Sequence, residues 1–250
     1  MRNFLFQIKI NYTRIIFRNI RFLLFSIAMP SGFYLLFTQV MTKGMSSAIL
    51  TTWNTDYLIS MVVYSTLISS IFTVSNTLLD DHEHHFDLFV ALSPISKLQY
   101  YSSMIVVFLS LTMVSTLVLE IIANFGNHVA IDFSTLIFLL IFIPILSLPL
   151  FLIGIMLSLI GSGNVINLIS NLIVFPMAIL SGLWWPLTMM PTWMQKIGKI
   201  LPTYHIAECL KIFIHKQNFN GLNLGILLLW LIILLGSLKI LTIYREKSEA

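Results

Sequence analysis

Leu180-Ser-Gly-Leu-Trp-Trp-Pro-Leu-Thr-Met-Met-Pro-Thr-Trp-Met194, continuing to Leu201-Pro-Thr-Tyr204, is the stretch that decides how this chain folds. It follows one membrane-length apolar run and precedes another, yet it is crowded with proline, tryptophan and glycine. A continuous spanning helix does not tolerate Pro186, Pro191 and Pro202 at this spacing, because each removes a backbone donor and clashes with the preceding turn. An ordinary loop has no need of so many aromatic rings. The stretch therefore predicts a broken, partly re-entrant segment at a membrane surface, flanked by spanning helices.

The chain has 250 residues, 58% of them hydrophobic and 10% charged. Soluble domains carry about a quarter charged residues, so this chain cannot clothe itself in polar surface, and lipid must be part of its solvent. Six apolar runs, at 22–40, 57–78, 100–123, 134–160, 166–183 and 222–243, each approach the roughly 20 residues that a helix needs to cross hydrocarbon. Their length and lack of alternation argue against a membrane β-barrel. No inverted internal repeat of the secondary-transporter kind stands out. The expected fold is an all-α integral membrane protein, one transmembrane domain over 1–250. It has an amphipathic helix at 1–21 and an amphipathic region at 184–221 before the last span. The single cysteine, Cys209, excludes an intramolecular disulfide.

Arg2, Lys9, Arg14, Arg18 and Arg21 precede the first run with no acidic residue among them, and Lys239, Arg245 and Lys247 accompany the last. An even number of spans puts both termini on one side, and the basic bias makes that side cytoplasmic. The net charge of +4 is read as this topology signal, and no nucleic-acid partner is expected. Lys196, Lys199, Lys211 and Lys216 then fall outside, where amphipathic surface helices are expected to carry them. Pro30 and Gly32 interrupt the first run and no small-residue cleavage site follows it, so the N-terminus does not read as a cleavable signal.

Within residues 1–21, Asn3, Gln7, Asn11, Arg14, Arg18 and Arg21 share one helical face, and Leu5, Ile8, Tyr12, Ile15 and Ile16 occupy another. That is the pattern of a helix lying in the membrane interface with its arginines near anionic headgroups. The second span carries Thr66, Ser70, Thr73 and Thr77 at helical spacing. Such hydroxyls either pack against neighbouring helices or line a translocation path, and both readings stand. Asn164, Asn167 and Asn171 make a similar face entering the fifth span, and amides favour a polar interior or interface. Pro144 and Pro149 should bend the fourth span. Glu120 lies three residues from the predicted outer end of the third, which favours interface exposure over a proton-relay or substrate role.

Between the second and third spans runs Asp80-Asp-His-Glu-His-His-Phe-Asp-Leu-Phe-Val-Ala-Leu-Ser-Pro-Ile-Ser96. Acidic residues open it, Phe86, Phe89 and Val90 follow at helical spacing, and Ser93-Pro94 closes it. The result is a short cytoplasmic amphipathic helix over 80–96, suited to dock in a groove of a soluble partner. Asp80, His82, Glu83, His84 and His85 are all metal-ligand types. Yet adjacent residues point in different directions around a helix, and no zinc-motif spacing completes a site, so no metal is expected. Protonation of these histidines near neutral pH is a further way to tune docking.

Enzyme chemistry lacks its parts. Gly161-Ser-Gly163 has no histidine in any span to activate Ser162. His205 and Cys209 sit four apart on a piece expected to be exposed, without an orienting third group. No Gly-x-x-x-x-Gly-Lys-Ser/Thr stretch offers a P-loop. Neither a catalytic residue nor a cofactor is expected in this chain.

Two stretches carry a family resemblance. Ser181-Gly182, Pro186, Pro191-x-Trp193 and Pro202-Thr-Tyr204 resemble the last extracellular region of exporter-type ATP-binding-cassette permeases. Glu83, Phe86, Leu88, Leu92 and Ser93-Pro-Ile-Ser96 resemble the coupling helix of that family, which usually has an arginine flanked by glutamates where this chain has His82, His84 and His85. With the six spans, the whole chain resembles the membrane subunit of type-two ATP-binding-cassette exporters. The resemblance implies a permease subunit in a bacterial plasma membrane, paired with a second identical or closely related copy. Separate cytoplasmic ATPase subunits would bind the ATP and Mg. It implies coupling to the ATPase through Glu83, Phe86, Asp87, Leu88, Leu92 and Pro94, and a path lined by Thr66, Ser70, Thr73, Thr77, Asn167 and Asn171. It further implies an extracellular gate of Ser181, Gly182, Pro186, Pro191, Trp193, Pro202 and Tyr204. Strongly apolar spans favour an amphipathic cargo (a drug, antibiotic or antimicrobial peptide, hence antibiotic resistance) over a lipid-linked polysaccharide. A six-span immunity protein without transport turnover is the reading from a different class.

Overall fold

The computed structural model describes residues 2–18, 20–42, 46–86, 90, 92, 96–127, 129, 132–160, 162–218 and 221–249. Helix α1 (Arg2–Arg18) leads into α2 (Ile20–Leu35), which ends in a π-turn over Leu36–Val40. Next, α3 (Ser47–Ile68), a π-turn over Ser69–Thr73 and α4 (Val74–Glu83) run on as one rod. Then come α5 (Lys97–Asn127), α6 (Phe133–Leu146), α7 (Leu148–Ser158) and α8 (Gly163–Leu180). A short 3-10 turn, Leu187–Met189, precedes α9 (Thr192–Gly198), α10 (Pro202–Ile214) and α11 (Leu222–Glu249).

Among the described residues five stretches are long and apolar enough to cross a membrane: Ile49–Glu83, Ser102–Asn127, Phe133–Ser158, Gly163–Leu180 and Leu222–Tyr244, with Leu24–Val40 a shorter apolar helix. The protein is an all-α membrane protein. The Ile49–Glu83 rod reaches past both ends of the expected 57–78 span, so its last turn takes up residues 80–83 of the expected coupling helix.

The rod is the centre of the molecule. Its most apolar window is wholly buried, whereas that of Leu222–Tyr244 is almost wholly exposed. Around it pack α2, α5, α7 and α10. The closest approach is that of α7: a Cβ built on Gly154 would lie 2.1 Å from the Ser70 carbonyl oxygen and 3.1 Å from Val74 Cβ. Only glycine fits there, opposite the π-turn.

The expected bend in the fourth span is present. The helix breaks at Ser147, between Pro144 inside α6 and Pro149 in the first turn of α7. Ser147 Oγ donates to the Pro144 carbonyl at 2.9 Å, which satisfies an acceptor that the break would otherwise leave free. Asp132 caps the start of α6, accepting from Thr135 N at 3.2 Å and Thr135 Oγ1 at 2.7 Å, and from Ser134 Oγ. These donors, Ser134 first, hold its carboxyl down at about 2, below the ordinary 3.8. Because the folded value is the lower one, the cap favours folding above the ordinary carboxylate range. That contribution is lost as pH falls towards about 2.

Replacing Gly154 with alanine should cost about 1–3 kcal/mol through overpacking against the rod. In detergent, thermal unfolding of Gly154→Ala should shift down by several degrees. Gly236→Ala, where an added Cβ meets nothing within 4 Å, should match or exceed the parent.

Candidate functional site

The end of the bundle that carries both termini holds a compact polar cluster. Arg14, on α1, forms an ion pair with Asp81 at the end of the rod, and their side chains are 18% and 4% exposed. Tyr100, in the first turn of α5, donates its hydroxyl to the other Asp81 oxygen. The Arg14 guanidinium also stands 3.6 Å from the Phe86 ring centre, and Phe86 lies 5.8 Å from the Tyr100 ring. One turn earlier on α1, Asn11 Nδ2 donates to Ser103 Oγ at 2.7 Å and Gln7 Nε2 to Asn11 Oδ1 at 3.3 Å. Tyr12 bonds Ser110.

This geometry corrects two expectations. The face of α1 expected to meet lipid headgroups turns inward instead: Gln7 and Asn11 are buried, while Leu5 and Phe6 are exposed. The physical reason is that the partners of Asn11 and Arg14, Ser103 and Asp81, lie inside the chain, and a low-dielectric site makes such pairing stronger than contact with water. Phe86, expected to face a partner protein, is likewise drawn into the chain between Arg14 and Tyr100. Glu83 is exposed, as are His82, His84 and His85. Leu92 stands out with 88% exposure. Asp87, Leu88 and Pro94 lie outside the described residues.

At His85 the backbone takes a left-handed conformation, φ 54°, which ends the rod. His84 Nδ1 lies 2.8 Å from the Asp80 carbonyl and 2.9 Å from its carboxylate. Among the described residues no three His, Cys, Asp or Glu side chains gather as metal ligands.

The hydroxyl stripe of the second span is internal. Thr66, Ser70, Thr73 and Thr77 are buried, on the rod that packs against α7. Thr66 Oγ1 donates to the Val62 carbonyl at 2.9 Å, while the hydroxyls of Ser65, Ser69, Ser70 and Thr73 find no partner among the described residues. Asn167 is joined to the rod by Asn76, whose Nδ2 donates to Asn167 Oδ1 at 3.1 Å. Asn171 donates to the Asn167 carbonyl at 2.8 Å from an exposed position. Of the six path residues expected from the sequence, Asn171 alone is on an exposed face. Glu120 is half-buried, and its Oε1 finds no partner among the described residues. Simple interface exposure does not describe it.

The opposite end is built from the proline-rich segment. Helix α8 stops at Gly182, φ 79°, where Leu183 N reaches back to the Ala178 carbonyl at 3.1 Å and Gly182 N to that of Ile179 at 3.1 Å. This is a glycine-terminated cap that only a left-handed residue allows. Ser181 is buried and bonds the Met177 carbonyl. A Cβ on Gly198 would fall 2.0 Å from the Leu180 carbonyl oxygen, so α9 folds back directly onto the end of α8. Trp184 is held by the Tyr57 hydroxyl, which donates to its carbonyl at 2.9 Å, and by rings of Phe33, Tyr64 and Phe175.

Helix α9 keeps Trp193 and Ile197 exposed, as an interfacial helix would, and Ile200 is exposed just past its end. Helix α10 does not lie on the surface as expected: Pro202, Thr203, Ile206, Cys209 and Leu210 are buried against α3, α6 and α11. His205 and Cys209 are therefore inside. His205 bridges the Lys199 carbonyl at 2.9 Å and Asn223 at 2.8 Å, a structural role, and burial first of all raises the Cys209 thiol to about 11, away from the reactive thiolate. Tyr204 is half-buried, and Pro186 and Pro191 frame the 3-10 turn. The sequence signal that was missed is the small-residue face of α10, Thr203 and Ala207, which permits close packing.

Comparison with known proteins settles what this architecture is. Residues 38–239 match the model of the ABC-2 family transporter proteins. The chain belongs to that family. A Bacillus subtilis (strain 168) protein, YvfS, named as a proposed transport permease, is 27% identical over 238 residues, which cover 94% of each chain. The chain is thus a multi-pass permease subunit of an ATP-binding-cassette transporter, and such a permease works with an ATPase partner. Its cluster at Arg14, Asp81 and Tyr100 joins three segments distant in sequence.

Removing one member of a buried ion pair costs about 3–5 kcal/mol, because the other charge is left unpaired. We expect Arg14→Ala and Asp81→Ala each to destabilise the permease strongly in detergent, and the double variant to lose much less than the sum. A double-mutant cycle on thermal or denaturant unfolding measures this, and additive losses would show that the two do not interact.

Proposed function

We propose that this permease is the path-forming subunit of an exporter for an amphipathic compound, with both termini cytoplasmic and the segment around Glu83–Leu92 docked on its ATPase. The observation that carries this reading is the display of Leu92 and Glu83 on a short stretch whose base is welded to three helices. An exposed apolar side chain and an exposed carboxylate, nine residues apart in sequence, offer the two kinds of contact that a groove on a soluble partner takes. Motion of that stretch passes to the rod through Asp81, to α1 through Arg14 and to α5 through Tyr100. In this reading Phe86 positions the docking segment and does not itself touch the ATPase.

The rod also offers the second state that coupling requires. Its π-turn, Ser69–Thr73, holds buried hydroxyls without partners among the described residues, and a rearrangement that paired them would be that second state. Such turns recur at functional sites in helices. ATP-driven movement of the docked ATPase would select between the two arrangements.

Path-forming by a pair of subunits is supported by α8, whose flank carries Val165, Leu168 and Leu172 exposed beside Asn171. The aromatic cluster around Trp184 is largely enclosed within one chain, and only Trp185 of that group is well exposed. Enclosed rings do not stack on a sugar chain, which favours the amphipathic cargo over a lipid-linked polysaccharide. A permease-like immunity protein would bind its target without stimulated hydrolysis.

Leu92→Asp should leave folding unchanged, since the side chain touches little. It should reduce co-purification of the ATPase by about tenfold, the weight of one buried apolar anchor. Retained association with undiminished cargo-stimulated ATP hydrolysis would refute the docking site.

A further inference from the structure

At the end of the bundle away from the termini, a cavity of about 400 Å³ opens between the start of α6, the end of α10 and the start of α11. That volume lies within the range of small-molecule sites, about 300–1,000 Å³. Its apolar lining includes Phe142, Leu146, Cys209 and Leu224. Along one wall Phe142, Phe138 and Phe213 form a ladder, with ring centres 4.3 Å apart for the first pair and 3.3 Å for the second. Its mouth is polar and carries one charge of each sign, Asp132 and Lys216, with Ser134 and Gln217.

The two charges differ in how they are held: the Asp132 carboxylate by its hydrogen bonds, Lys216 by its backbone alone. Asp132 is locked as the cap of α6 by the Ser134 and Thr135 donors, so its carboxylate stays ionised. Lys216 sits in the left-handed region, φ 51°, at the turn that ends α10, and forms no ion pair among the described residues. A lysine held in that conformation is uncommon and marks a place where the surroundings over-determine the backbone. Next to it, His215 Nε2 lies 2.6 Å from Asp56 Oδ1, tying this turn to the rod. The mouth is therefore anchored on both sides.

We propose that this cavity binds a membrane phospholipid with a zwitterionic headgroup, its acyl chain against Phe138, Phe142 and Leu146 and its phosphate and amine on Lys216 and Asp132. The shape of the chemistry selects the class. An apolar lining takes a chain, and a purely anionic head would meet Asp132 as a repulsion, while a purely cationic one would meet Lys216. A head bearing both charges satisfies both residues. The resident amphiphile at a membrane boundary is a phospholipid, so the site is filled from the surrounding leaflet whether or not the permease is turning over. A lipid seated there bridges α6 and α10, and so holds the outer helix against the bundle.

Native mass spectrometry of the delipidated full chain tests this, with phosphatidylethanolamine and phosphatidylglycerol titrated separately in one detergent. One phosphatidylethanolamine should be retained per chain, and phosphatidylglycerol, which has no amine, should bind several-fold more weakly. Lys216→Glu should lower retention of phosphatidylethanolamine by about fivefold, the weight of one exposed charge pair. Leu146→Trp, which fills the cavity, should abolish it. Lys216 is exposed, so that variant reports on binding even if the filled core fails to fold. Equal retention by parent and Lys216→Glu, or phosphatidylglycerol held as tightly as phosphatidylethanolamine, would overturn the proposal.

Discussion

A helix buried along its whole apolar length has no face left for lipid, and every other span must be arranged around it. That is the condition set by the rod from Ile49 to Glu83. Burial is favourable for its Val, Leu and Ile side chains and costly for the hydroxyls of Ser65, Ser69, Ser70 and Thr73, which lack partners among the described residues. The opposing terms meet at the π-turn. Gly154 allows α7 to close on the Ser70 carbonyl there, and the two helices pack at backbone distance. The rod is thus closely packed and, among the described residues, rich in unpartnered hydroxyls, and such an element can have two arrangements of similar energy.

Each end of the rod is fastened by different chemistry. At the end with the termini the fastening is electrostatic, through Asp81 with Arg14 and Tyr100. At the other it is aromatic and hydrogen-bonded, through Tyr57 with Trp184, and Asp56 with His215. The proline-rich segment is thereby tied to the same helix that leads into the proposed docking stretch. A displacement at Asp81 has a continuous packed route to Trp184, without any need for a special pathway of coupled residues.

Much of this was legible in the sequence, and the failures have common physical causes. Length and hydropathy located apolar helices at all six expected runs, five of them long enough to cross a membrane and Leu24–Val40 shorter, because hydrocarbon thickness is a fixed ruler. Pro144 and Pro149 announced the bend at Ser147, because proline acts locally. Sidedness within a helix was not legible. The polar face of α1 reads the same whether it meets headgroups or meets Asp81 and Ser103. The hydroxyl stripe of the rod reads the same whether it lines a path or packs on Gly154. In a membrane the outside is as apolar as the core, so periodicity no longer says which face is inside. Helix α10 misled for a related reason, since its lysines suggested a surface and only one side of it is one.

The position of the docking stretch is the claim on which the transport mechanism turns, and cross-linking tests it most directly. Cys209 is buried and is the single cysteine, so a Cys209→Ser background allows one new thiol at a time to be followed in membranes that contain the ATPase. Leu92→Cys should cross-link to the ATPase subunit, and should be shielded from a membrane-impermeant reagent applied to the outside of cells. Gln217→Cys should be labelled from outside and yield no such product. Labelling of position 92 from outside, or a cross-link to the ATPase at position 217 and none at 92, would contradict the account.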